Sequence, residues 1–143
     1  MLTKEVRLAM AAAVAMTVLA GCAGLDRQSD EEIIRANVSK WADALAGEPD
    51  LEAILEVTSP DFYVAELGGK EALAEFLSGA IDEGYLDGGE VFLDDMTIEI
   101  DEAGENALVG PIDIAGASGE VAIEIEMAKS EDGDWLIVSL GQY

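Results

Sequence analysis

The sequence predicts an α+β domain in which three helices come first and pack on one face of a curved antiparallel sheet. Apolar residues recur at helical spacing as far as Gly84 and alternate with polar ones from Val91 onward. The connections in that second half are short runs rich in Gly, Asp, Glu and Ser, which join antiparallel neighbours. Stacking the helices on the sheet buries the apolar side of both layers.

Ser29-Asp30-Glu31-Glu32 has the S-x-x-E form of a capping box, with acidic residues in the first turn where the helix dipole favours them. Ile34, Val38, Trp41 and Leu45 follow at helical spacing, and Gly47 supplies the stop. Pro49-Asp50 opens a shorter helix with Leu51, Ile54 and Leu55 on one face. Ser59-Pro60 ends it, because the residue before a proline is pushed out of the helical region. Asp61-Phe62-Tyr63-Val64 reads as one short strand. After the Gly68-Gly69 turn, Ala72, Leu73, Phe76, Leu77, Ala80 and Ile81 make a wide apolar stripe over 70–83, capped by Gly84.

Four main strands are predicted over 91–100, 106–115, 120–129 and 135–140. The third is the clearest, with Val121, Ile123, Ile125 and Met127 alternating with Ala122, Glu124 and Glu126. Asp94-Asp95 interrupts the first strand and points to a bulge that curves the sheet. Pro111 marks the second as an edge or a bulge. The last strand is apolar on both sides, Trp135 and Ile137 on one and Leu136, Val138 and Leu140 on the other, so both sides are predicted to be covered. Helices cover one, which leaves the other for a homodimer through the sheet face or for another partner.

Ahead of the domain, Lys4 and Arg7 precede an apolar, Ala-rich segment, and no charged residue falls within 8–25. This is the layout of a secretory signal peptide. A membrane-spanning helix is the weaker reading, because the uncharged run only reaches the threshold of about 18 residues and is built largely from Ala, Met and Thr. The segment ends in Leu19-Ala20-Gly21-Cys22, which resembles the lipobox of bacterial lipoproteins. The resemblance implies a signal peptide over 1–21, a lipidated Cys22 with a tether over 22–28, and a folded domain over 29–143. Several acyl chains at about 0.8 kcal/mol per buried methylene would anchor the protein to a membrane without crossing it. Ala23, where an Asp would signal retention, implies the outer membrane of the cell envelope, facing the periplasm.

Cys22 is the sole cysteine, so no internal disulfide forms and the core alone must hold the fold. From Cys22 on there are 122 residues, enough for one core. Of 7 basic and 31 acidic residues in the chain, Lys4, Arg7 and Glu5 precede Cys22, which leaves 5 and 30 and a balance of −25. Nucleic acid is excluded as a partner, since its recognition needs clustered Lys and Arg. Like-charge repulsion also works against the compact state, and salt relieves it with a Debye length of about 8 Å at physiological strength. The melting temperature is therefore expected to rise with NaCl; a flat profile in a thermal scan would show that repulsion does not limit stability.

Several stretches together resemble the NTF2-like superfamily, especially its SnoaL-like members: residues 41–46, Ser59-Pro60-Asp61-Phe62, Gly68-Gly69-Lys70-Glu71-Ala72, and the ending Asp132-Gly133-Asp134-Trp135-Leu136-Ile137. The resemblance covers nearly all of 29–143 and implies a cone with an apolar pocket between helices and bent sheet. Trp41, Tyr63, Phe76 and Tyr85 are the aromatic residues expected to line it. The superfamily includes isomerases, cyclases and dehydratases as well as non-catalytic binding modules, so the fold does not choose among them. Its enzymatic members use an aspartate with a histidine or tyrosine, because proton abstraction needs a base poised near neutrality and a donor for the developing oxyanion.

This sequence has no histidine. Asp113 with Tyr63 is the remaining acid–base pair, but Asp113 alternates with Ile112 and Ile114 and is expected to face solvent. The expectation is therefore a non-catalytic domain that binds an apolar small molecule or a protein partner, with an aspartate-based isomerase, dehydratase or cyclase as the alternative. No metal and no cofactor are expected. Zinc sites need closely spaced Cys or His, and Asp82-Glu83 with Asp87 and Glu131-Asp132 with Asp134 lack the EF-hand pattern.

Overall fold

The computed structural model describes residues 29–117 and 119–143. The predicted signal over 1–21, Cys22 and the predicted tether lie outside the described residues. Helix α1 spans Asp30–Leu45, α2 Leu51–Glu56 and α3 Lys70–Asp82. The strands are β1 (Tyr63–Val64), β2 (Gly68–Gly69), β3 (Glu90–Phe92), β4 (Thr97–Ile100), β5 (Asn106–Gly116), β6 (Gly119–Lys129) and β7 (Trp135–Gln142). No helix among the described residues is long and apolar enough to cross a membrane.

The first two helices begin on side-chain caps. At α1 the Ser29 hydroxyl accepts from the Glu32 N–H at 3.2 Å, and at α2 the Asp50 carboxylate accepts from the Ala53 N–H at 3.2 Å. Gly47, at φ +65°, turns the chain out of α1 and pairs with Gly89 just ahead of β3. The buried stripe of α1, with Ile34, Val38, Trp41 and Leu45, packs on the sheet, and Leu73 and Leu77 of α3 join the same core.

The sheet is an antiparallel meander of five strands. β3 and β4 both pair with β5, followed by β6 and then β7. The strand predicted over 91–100 is thus divided in two at Asp94-Asp95, where the chain turns, and each piece pairs with its own half of β5. The short strand predicted over 61–64 forms a separate hairpin, Tyr63 opposite Gly69 and Val64 opposite Gly68. Pro111 lies in a central strand. The register of β5 against β6 slips between Val109 and Ile112, and this bulge accommodates the missing N–H. Gly110 in the same bulge lies so close to β6 that a Cβ would meet the Ile123 carbonyl oxygen at 3.1 Å.

A second bulge changes the expectation for β7. Glu126 pairs with Ser139 and Met127 with Ile137, so Val138 is the extra residue. One inserted residue reverses the alternation beyond it, and Leu140, expected beside Leu136, lies instead on the core side with Ile137. Leu136 and Val138 remain half-buried on the outer side, where Leu108 is exposed among Glu99, Glu124 and Glu126.

Helix α1 is fastened across the end of β7 by polar contacts. The Asn37 amide donates to the Asp134 carboxylate at 2.8 Å and to the Trp135 carbonyl at 2.7 Å. The Trp135 indole N–H donates to the Asp30 carboxylate at 3.2 Å, and the Lys129 ammonium meets the same oxygen at 3.0 Å. These two partners, Lys129 first and Trp135 second, hold the Asp30 carboxyl below its ordinary pKa. The core between the layers is closed by Ile54, Phe62, Val109, Ile112, Ile125, Met127, Trp135 and Ile137, all fully buried.

Candidate functional site

The inner face of the sheet and the three helices do not meet completely. Between them lies a cavity of about 290 Å³, just under the range of roughly 300–1,000 Å³ usual for small-molecule sites. α1 contributes Trp41 and Leu45, α2 and its exit Ile54 and Thr58, and α3 Leu73, Phe76 and Leu77. The segment from Phe62 to Leu67 adds Phe62, Val64 and Leu67, and the turn after α3 adds Leu86. The sheet supplies Ile114, Ile123, Ile137 and Leu140. Helical spacing aims Leu73 and Leu77 inward together, and period two puts Ile114 on the same side of the sheet as the fully buried Ile112.

Thr58 is the single polar residue of this wall, and its hydroxyl is already occupied, donating to the Ile54 carbonyl at 2.8 Å. Among the described residues, no titratable side chain lines the cavity. Every buried side-chain nitrogen or oxygen among the described residues has a hydrogen-bond partner, so no orphaned polar group is held ready for a substrate. Such a chamber can desolvate an apolar body.

The residues singled out from the sequence divide. Trp41 is buried in the wall. Phe76 lines the cavity while remaining 60% exposed, which puts it on the rim. Tyr63, at 61% exposed, points away from its neighbours Phe62 and Val64 and does not line the cavity. Tyr85, at 58%, lies in the turn after α3, against a shallow outer groove with Glu75 and Glu83. Asp113 is opposite Phe92 and Ala122, on the side of the sheet turned away from Ile112 and Ile114. Asp113 and Tyr63 are therefore not assembled around the cavity.

Asp101, in the β4–β5 turn, accepts from the Asn106 side chain and from the backbone N–H groups of Glu105 and Asn106, and these bonds lower its pKa. It fastens a turn and lies far along the sheet from the cavity wall. A larger groove of about 500 Å³ opens beside that turn, but Glu99, Asp101 and Glu126 line it and it is shallow. No group of three or more His, Cys, Asp or Glu side chains among the described residues is placed to hold a metal ion.

No family model matches the sequence, and no curated protein matches it significantly. Solved structures do match the architecture. A Nostoc punctiforme protein of unknown function with a cystatin-like fold superposes with a TM-score of 0.59 at 16% identity, over 75% of this chain and 84% of its own. A candidate dehydratase from the NTF2-like family of Streptomyces avermitilis gives 0.58 at 16%, over 78% and 93%. The chain has the NTF2-like fold. A candidate ketosteroid isomerase from Parabacteroides distasonis gives 0.54 at 18%, over 72% and 80%. At such identities the likeness concerns the NTF2-like backbone, and the side chains that line this particular cone decide what it can do.

Proposed function

We propose that the protein is an exported lipoprotein, anchored to the outer membrane through Cys22 and facing the periplasm, whose NTF2-like domain binds an apolar small molecule without transforming it. The observation that carries the binding reading is the cavity wall, which is apolar except for one threonine whose hydroxyl is already bonded. A protein partner is less well served, because the space is a small chamber between layers. The isomerase and dehydratase chemistry named for two structural neighbours needs a base beside the bound substrate. Here the carboxylate most favoured by the sequence, Asp113, is on the far side of the sheet.

Titration of the full chain with N-phenyl-1-naphthylamine, a neutral apolar dye, tests the reading. Fluorescence is expected to rise and saturate at one dye per chain, and Leu86→Trp, which fills the cavity from its wall, is expected to weaken binding at least tenfold. Leu86 is only partly buried, so the larger side chain does not overpack the centre of the core. Linear, unsaturable fluorescence, or equal binding by the variant, would overturn it.

A further inference from the structure

The apolar cavity borders a second space. A groove of about 560 Å³ lies against α3 and the turn that follows it, with Glu75, Gly79, Glu83 and Tyr85 in its lining. Phe76 and Leu86 line both spaces, so these two side chains stand between the inner chamber and the groove. Phe76 is 60% exposed, and an exposed side chain changes rotamer within nanoseconds, so the threshold can open without disturbing the core.

What surrounds the groove favours positive charge. Glu75 and Glu83, the latter the C-cap residue of α3, stand four residues to either side of Gly79 and share its helix face. A Cβ at Gly79 would meet no neighbouring group within 4 Å, so packing does not require the glycine. Inside a helix glycine is less stable than alanine, and what it keeps here is open space between the two carboxylates. No basic residue falls in the last turn of α3 to meet the negative end of the helix dipole. The exposed ring of Tyr85 adds an aromatic face, whose quadrupole attracts cations. Among the described residues the ion pairs join Arg35 to Glu31 and Lys129 to Asp30, and neither Glu75 nor Glu83 is matched by a Lys or Arg.

We infer that the ligand is a cationic amphiphile, its hydrocarbon body in the cavity and its ammonium across the Phe76–Leu86 threshold, between Glu75 and Glu83. This rests on the binding reading above and adds the ligand's head group to it. The inner volume of about 290 Å³ admits a single short chain or a compact ring system, with the charge left in the wet groove. A carboxylate head would instead bring a third negative charge between the two glutamates.

The test compares decylammonium, 1-decanol and decanoate by calorimetry on the full chain at physiological salt. Decylammonium is expected to bind about tenfold more tightly than decanol, the combined scale of two exposed ion pairs and an exposed cation–π contact, and decanoate more weakly than either. Glu75→Gln with Glu83→Gln is expected to bring the amine within about threefold of the alcohol and to leave the affinity for decanol unchanged. Glu99→Gln with Glu126→Gln, which removes the same charge from the outer side of the sheet, is expected to keep the full preference. Its loss in both double variants would assign it to the overall charge of the domain and overturn the inference, as would its retention in the first. Equal affinities for amine and alcohol in the native protein would also overturn it and leave the apolar pocket standing. Binding of neither beside saturable dye fluorescence would overturn this inference alone, and binding of neither with unsaturable fluorescence would overturn both readings.

Discussion

Trp135→Ala is expected to lower the stability of the domain by about 3–5 kcal/mol, the usual cost of deleting a large buried aromatic side chain, against a total of about 5–15 kcal/mol for a domain. The indole is completely buried, and its N–H is one of the two donors that hold Asp30 at the head of α1. Its removal leaves a void and loosens the contact between the first helix and the last strand. Urea unfolding checks this, read as a fall in midpoint at unchanged slope. Trp135→Phe keeps most of the packing and loses the indole donor, so its cost is expected near 1 kcal/mol. A loss below 1 kcal/mol for the alanine variant would show that the core is closed by other residues.

Cys22→Ala is expected to move the protein from the membrane fraction to the soluble periplasmic fraction and to change the mass of the mature chain. A single acyl chain gives only marginal, reversible attachment, whereas several give stable anchoring, so the change should be nearly complete. Fractionation of the native host, with intact-mass measurement of both forms, reads both consequences. Equal recovery in the membrane fraction with the same processed mass would overturn the location and the boundary at Cys22 together.

What the sequence makes visible is what neighbouring residues decide. Ser29 and Asp50 announce helix starts because a cap is a contact over three residues. The run from Val121 to Met127 announces a strand because period two is local. The features that shape the site depend on distant partners. Nothing near Val138 marks it as an extra residue, since a bulge exists only against a particular neighbour, here Glu126 and Met127; yet that bulge brings Leu140 into the cavity wall. Asn37 looks like an interruption of an apolar stripe until its partners, 97 and 98 residues away, are known. Leu67 and Leu86 belong to turns, where periodicity carries no signal. Among the aromatic residues, size alone could not distinguish Trp41, inside a helix stripe, from Tyr63 and Tyr85, which point outward.

The first helix also sets a geometry between attachment and guest. It is about 24 Å long. Asp30, at its start, is clasped by Lys129 and Trp135, while Trp41 and Leu45, near its finish, help wall the cavity. Ser29, where the described residues begin, therefore lies at the opposite end of this helix from the two residues that it contributes to the cavity wall.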